Sequence, residues 1–184
     1  MKRLIAMLCI FALVLSVSAA AFADVQRDED GYAVIGESMM NSELEDGTWV
    51  TFFSIFKMVM PSDWVDIDIT DRDRENGLYY AARAPQEDAT VELLVYTPEE
   101  IANFGAEDIF DICEIWKADG YEDAQIMKLN GVYCCFYTNA DRDACHVMLM
   151  SSDNYMFDLI FGPISNDDYT SIYYNMIYSL QGVS

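Results

Sequence analysis

The sequence predicts an α+β protein, an antiparallel β-sheet with a mid-chain helix and a C-terminal helix packed on it. Between residues 49 and 161, short aromatic and β-branched runs alternate with turn residues, and brief turns between the last runs make neighbours antiparallel. Two stretches, residues 107–119 and 169–180, instead space their apolar residues for a helix. A chain of 184 residues, 53% hydrophobic and 23% charged, suits one globular domain and excludes a collagenous, coiled-coil or wholly disordered chain.

The first segment is an address rather than part of that domain. Lys2 and Arg3 precede an apolar run from Leu4 to Val17, and Ala21-Phe22-Ala23 follows, so residues 1–23 read as a secretory signal peptide cleaved before Asp24. The run is about 14 residues, short of the roughly 20 that a membrane-spanning helix needs. Cys9 lies inside it, where it cannot serve as a lipid-carrying cysteine at the cleavage point. The expected product is secreted, extracytoplasmic and without a membrane anchor. Thirty-two acidic residues against ten basic ones give a formal charge of -22. Cleavage removes two of the basic residues, which leaves -24. Nucleic acid is excluded as a partner, because a phosphate backbone needs a basic surface.

Residues 24–48 are polar, with eight acidic residues and one Arg from Asp24 to Gly47, and are expected to be a poorly ordered leader. Residues 49–184 form the predicted domain. Trp49 to Met60 reads as one strand ended by Pro61-Ser62-Asp63. Val65-Asp66-Ile67-Asp68-Ile69 alternates with period two, as a half-buried strand does. Asp71 to Gly77 reads as a charged turn, with strands at Leu78–Ala84 and Thr90–Tyr96 around a turn at Pro85–Ala89. Thr97-Pro98-Glu99-Glu100 then opens a helix: a capping hydroxyl, a proline at the first helical position and a Glu three residues after the cap satisfy amides that have no partner within the helix. In residues 107–119, Ile109, Phe110, Ile112, Cys113 and Trp116 share a stripe, with Gly120 as the stop. Strands are expected at Gln125–Leu129, Val132–Thr138, Ala144–Met150 and Tyr155–Phe161. After the Ser165-Asn166-Asp167-Asp168 cap, Tyr169, Ile172, Tyr173, Met176, Ile177 and Leu180 form an amphipathic stripe.

This order resembles the PsbP/Mog-type family over about residues 50–181. The residues that carry the resemblance are the "P-S-x-W" step Pro61-Ser62-Asp63-Trp64 after an apolar strand, the Asn130-Gly131 turn, and the aromatic strand Tyr155–Phe161 before a closing helix that ends in Ser179-Leu180. The resemblance implies an antiparallel sheet between helices and a binding or assembly role. It brings no catalytic motif.

Four cysteines remain after cleavage: Cys113, Cys134, Cys135 and Cys145. Cys134 and Cys135 face opposite sides of their strand. A hairpin register summing to 280 would set Cys135 opposite Cys145 and leave Cys113 for Cys134, whereas a slip of one residue destroys that match. A disulfide among the four and buried reduced thiols both remain open. Zinc is not expected, because no C-x-x-C spacing occurs. His146, Met148 and Met150 share a strand face and offer the soft donors that suit copper(I), although alternating methionines under a helix are ordinarily core. Asp66, Asp68, Asp71, Asp73 and Glu75 offer hard oxygens, but the glycine and the twelfth residue depart from a calcium loop.

Catalytic residues are scarce. There is one histidine, and G-x-S-x-G, H-E-x-x-H and a glycine-rich phosphate loop are missing. The expectation is therefore an exported, non-enzymatic binding or assembly domain with no cofactor, acting on an unidentified protein or small ligand. The alternatives are a secreted hydrolase built on paired carboxylates about 5–9.5 Å apart in a cleft and a calcium- or copper-responsive envelope protein.

Overall fold

The computed structural model describes residues 26–36, 39–40 and 47–183. The expected signal peptide lies outside the described residues. The class is α+β. An eight-stranded sheet runs in the order β1 (Ala33–Ile35), β7 (Gln125–Leu129), β8 (Val132–Asn139), β9 (Ala144–Met150), β10 (Met156–Gly162), β6 (Thr90–Tyr96), β5 (Leu78–Arg83) and β4 (Val65–Asp66). Every pair in it is antiparallel except β1 with β7. A second sheet joins β2 (Thr48–Phe52), β3 (Phe56–Met60) and β11 (Gln181–Gly182). The helices are α1 (Asp71–Glu75), α2 (Pro98–Phe104), α3 (Ile109–Ala118) and α4 (Asp167–Ser179).

Side chains alternate across a strand, so each strand of the large sheet feeds two cores. One face, with Cys134, Phe136, Val147, Leu149, Phe157 and Leu159, packs against α4 and the small sheet, which contribute Tyr173, Met176, Ile177, Phe56 and Met58. The other face, with Cys135, Tyr137, Met148 and Met156, packs beneath α2 and α3, which contribute Ile101, Ile109, Ile112 and Cys113. At the "P-S-x-W" step the Trp64 ring stands edge-on to Tyr169 and Tyr173 of α4, so this motif fastens the last helix.

Several elements follow directly from local chemistry. Thr97 and Glu100 exchange side-chain and backbone hydrogen bonds as a capping box, and Gly105 closes α2 in the left-handed conformation. Asp108 caps α3. Beyond its end Gly120, at φ +103°, lets the Tyr121 amide reach back to the Trp116 carbonyl. The Asn130-Gly131 turn takes positive φ at both residues, and the Asn130 amide donates to the carbonyls of Tyr178 and Leu180 at 2.9 and 2.7 Å. It thereby closes a hairpin and caps α4 at once.

The structure departs from the sequence reading in four places. Trp49 to Met60 is a hairpin, not one strand: Phe52 pairs with Phe56 around a tip at Phe53, Ser54 and Ile55. Only Val65 and Asp66 of the alternating run form a strand, and both are exposed because β4 is a sheet edge. Asp71–Glu75 is a short helix, since Thr70 and Asp73 form a capping box there. Finally, the leader contributes β1, whose Ala33 and Ile35 are buried against β7.

Candidate functional site

Two places combine unusual chemistry with a concave surface. The first is built on β9 and β10. His146 and Asp158 lie on the face beneath α2 and α3, one row apart: His146 stands opposite Ile160, and Asp158 opposite Met148. Nδ1 of His146 lies 2.9 and 3.1 Å from the two Asp158 oxygens, and the residues are only 4% and 1% exposed. Burial pushes the Asp158 carboxyl above the usual carboxylate range, and the hydrogen bond and charge of His146 oppose that shift. The imidazole stacks on Tyr137 at 4.4 Å and 11°, and Tyr137 stacks on Trp116 of α3. Nε2 of His146 has no protein partner. Beyond Ile160 the face opens into a cleft of about 370 Å³, lined by Glu87, Asp88, Glu92, Arg142, Ala144 and Ile160 among others. Three carboxylates and a guanidinium meet there, with no aromatic side chain in the lining.

The second place is the tip of the β2–β3 hairpin. Phe53 and Ser54 have φ of +53° and +59°, a conformation normally left to Gly or Asn and sterically costly for a bulky residue. Phe53 is 50% exposed, and its ring touches Tyr79 and Phe157. Beside it runs a groove of about 340 Å³, with Ile55, Val132, Leu149, Met150 and Leu180 in its walls and Val183 and the Ser151–Asp153 turn on its rim. Tyr79, Tyr155 and Val183 are also exposed large apolar residues.

The sequence-predicted candidates fare unevenly. All four described cysteines are buried thiols. The β8–β9 register sets Cys135 opposite Met148 and Cys145 opposite Thr138, so the register summing to 280 does not occur and the Cys135–Cys145 and Cys113–Cys134 matches that depended on it are lost. Cys113 lies in the same core as Cys135, on the far side of the sheet from Cys134. The hydrogen bond from Cys135 holds the Cys113 thiol below the usual thiol range, with Lys117 adding its charge. That same bond, together with burial, pushes Cys135 up. Burial chiefly raises Cys134 and Cys145 to about 12.

Of the soft trio, Nδ1 of His146 is taken by Asp158, and Sδ of Met148 accepts a hydrogen bond from Trp116 Nε1 at 3.1 Å. Of the acidic run, Asp66 accepts from the Tyr80 hydroxyl at 2.8 Å, Asp73 is spent on the Thr70 cap, and Asp71 faces Arg74. Among the described residues no three His, Cys, Asp or Glu side chains converge as metal ligands. Asp158 is the buried titratable residue that the sequence reading missed. It is the lone charge in an otherwise apolar strand, and a buried charge needs a partner in a neighbouring strand.

No family model matches the chain, and no curated protein matches it. Among solved structures it is similar to the solution structure of cyanobacterial PsbP (CyanoP) from Synechocystis sp. PCC 6803, at 13% identity and a TM-score of 0.47, over 73% of this chain and 91% of that one. It is also similar to a crystal structure from Bacteroides thetaiotaomicron VPI-5482, at 13% identity and a TM-score of 0.46, over 75% of this chain and about half (49%) of that one. The α+β class rests on the strands and helices of this chain itself.

Proposed function

We propose that the protein is an exported PsbP/Mog-type binding or assembly domain, not an enzyme, and that it docks a protein partner at the apolar groove beside the β2–β3 tip. The observation that carries the reading is Phe53, a half-exposed aromatic residue held in left-handed backbone next to Ser54, which lines the apolar groove. Strain of this kind persists where the surroundings enforce it, and it clusters at binding sites. Buried aromatic anchors contribute most to protein interfaces, and exposed Tyr79 against Phe53, exposed Tyr155 hydrogen-bonded to Ser151 and exposed Val183 in the groove lining add apolar surface nearby. With a formal charge of -22, the chain favours a partner that surrounds an apolar anchor with basic residues. A non-enzymatic role agrees with the placement of the one imidazole, which is packed between Tyr137 and Asp158 inside the domain.

The test places a photo-crosslinking side chain at Tyr155 or Val183, and at exposed Glu99 on α2 as a control, in protein recovered from its native envelope. One basic partner is expected to be trapped from the groove positions and not from Glu99. Phe53→Asp should abolish trapping while the fold, followed by circular dichroism, is retained. Equal trapping from Glu99, or trapping that Phe53→Asp leaves intact, refutes the docking site. An N-terminus retaining Met1 in that same material refutes export through cleavage before Asp24.

A further inference from the structure

We propose that Cys113 and Cys135 are a disulfide-forming pair that fastens α3 covalently to β8 under oxidising conditions, leaving Cys134 and Cys145 as thiols. The argument is one of placement. Trp116 on α3 donates its indole N–H to Met148 Sδ at 3.1 Å, and Met148 is the cross-strand neighbour of Cys135. Cys113 lies one turn before Trp116 on the same buried stripe, so the helix that sets Trp116 on Met148 sets Cys113 over the neighbouring Cys135. Both residues are 0% exposed in one core cluster, and each thiol is the chief influence on the other's proton affinity.

The other pairings among the described cysteines fail on distance or on side. Cys145 is four residues along β9 from Leu149, the partner of Cys134, which is about 13 Å at strand rise and beyond what a disulfide bridges. Cys135 and Cys145 belong to cores on opposite faces of the sheet, as do Cys113 and Cys134.

The two thiols are unequal, and this gives the reaction an order. Lys117, one turn after Cys113, and the hydrogen bond from Cys135 both favour the Cys113 thiolate. That thiolate attacks one sulfur of an external disulfide such as oxidised glutathione, forming a mixed disulfide and expelling one glutathione thiolate. Cys135 then loses its proton to solvent and attacks Cys113 Sγ, which expels the second glutathione as thiolate. Two protein thiols are oxidised and one glutathione disulfide is reduced to two thiols, so electrons and protons balance. Because both thiols are buried, the exchange takes place as the chain folds or while α3 is lifted from the sheet. The proposal is independent of the docking site above.

The test is to unfold the full chain, refold it in a glutathione redox buffer, alkylate the free thiols and map the peptides. A single Cys113–Cys135 link is expected, and the Cys134→Ala/Cys145→Ala double variant should form it equally well. Reduction should lower the thermal midpoint of the wild type by roughly 6–12 °C, the scale for closing a loop of this size in such a domain. It should leave the midpoints of Cys113→Ser and Cys135→Ser unmoved. Diamide treatment of the folded protein gives a second route to the same link. Complete alkylation of Cys113 and Cys135 after both treatments, or a link through Cys134 or Cys145, overturns the proposal.

Discussion

Replacing His146 with Leu should expose how tightly Asp158 is held. In the native protein the carboxylate has His146 Nδ1 at 2.9 Å and almost no contact with solvent. Removing the imidazole leaves a buried acid without its partner, and breaking a buried pair from one side costs about 3–5 kcal/mol. Asp158 can escape part of that penalty by taking up a proton, so the cost should depend on pH. Its folded-state proton affinity is raised above the unfolded value of 3.8, chiefly by burial. Its contribution to stability is therefore fully present below about pH 3.8 and is lost as pH rises through the folded-state value. His146→Leu removes the hydrogen bond that opposes this shift, which moves the folded-state value higher and steepens the loss. Urea unfolding at pH 5 and pH 8 should show a larger deficit for His146→Leu at the higher pH. The His146→Leu/Asp158→Leu double variant, in which no charge is buried, should recover most of the deficit at both. Comparison with that double variant cancels the general repulsion among the surface acids. A deficit below about 1 kcal/mol, or one equal at the two pH values, would show that water reaches Asp158 and that the dyad is not sealed.

Two further outcomes test how α4 is anchored. Ser179→Ala should destabilise by about 1–3 kcal/mol in denaturant unfolding, because the buried Ser179 hydroxyl accepts the Val59 amide at 2.8 Å and donates to the Met176 carbonyl at 2.6 Å, and its loss strands that amide in the core. Asn130→Asp replaces an amide donor with an acceptor that faces the Tyr178 and Leu180 carbonyls, and should speed hydrogen exchange at the last turn of α4 and in β11 before it affects the rest of the sheet. Unchanged exchange there would mean that the turn does not hold the helix end.

Much of this architecture could be read from residue order, for identifiable reasons. Thr97, Pro98 and Glu100 perform a local task, as do Asn130 and Gly131, so their spacing survives into the fold. The stripe from Tyr169 to Leu180 names its own buried face. The misses arise where tertiary context overrides local preference. Phe53 and Ser54 form a tight turn without the Gly, Asn or Asp that ordinarily supplies its positive φ, so the hairpin resembled one long strand. Acidic neighbours hid Ala33–Ile35, whose strand is specified only by the edge of β7. The cysteine register depended on the length of the Asn139–Ala144 turn, where a shift of three residues moved Cys145 to the opposite face from Cys135. At the candidate site, the histidine and methionines were legible by type. Their engagement was not, because Asp158 and Trp116 come from other elements.

The parallel pairing of β1 with β7 also sets a timetable for assembly. Ile35 meets Leu129, so the earliest described strand in the chain finds its ladder only after more than half of the sequence has been made and the β7–β8 hairpin has closed. Until then the rim of β7 stands bare, with backbone amides and carbonyls open to any extended segment that arrives first. Nascent copies crowded together are thus at greatest risk of strand exchange along that rim, and the short Ala33–Ile35 segment is the latch that ends the vulnerable interval.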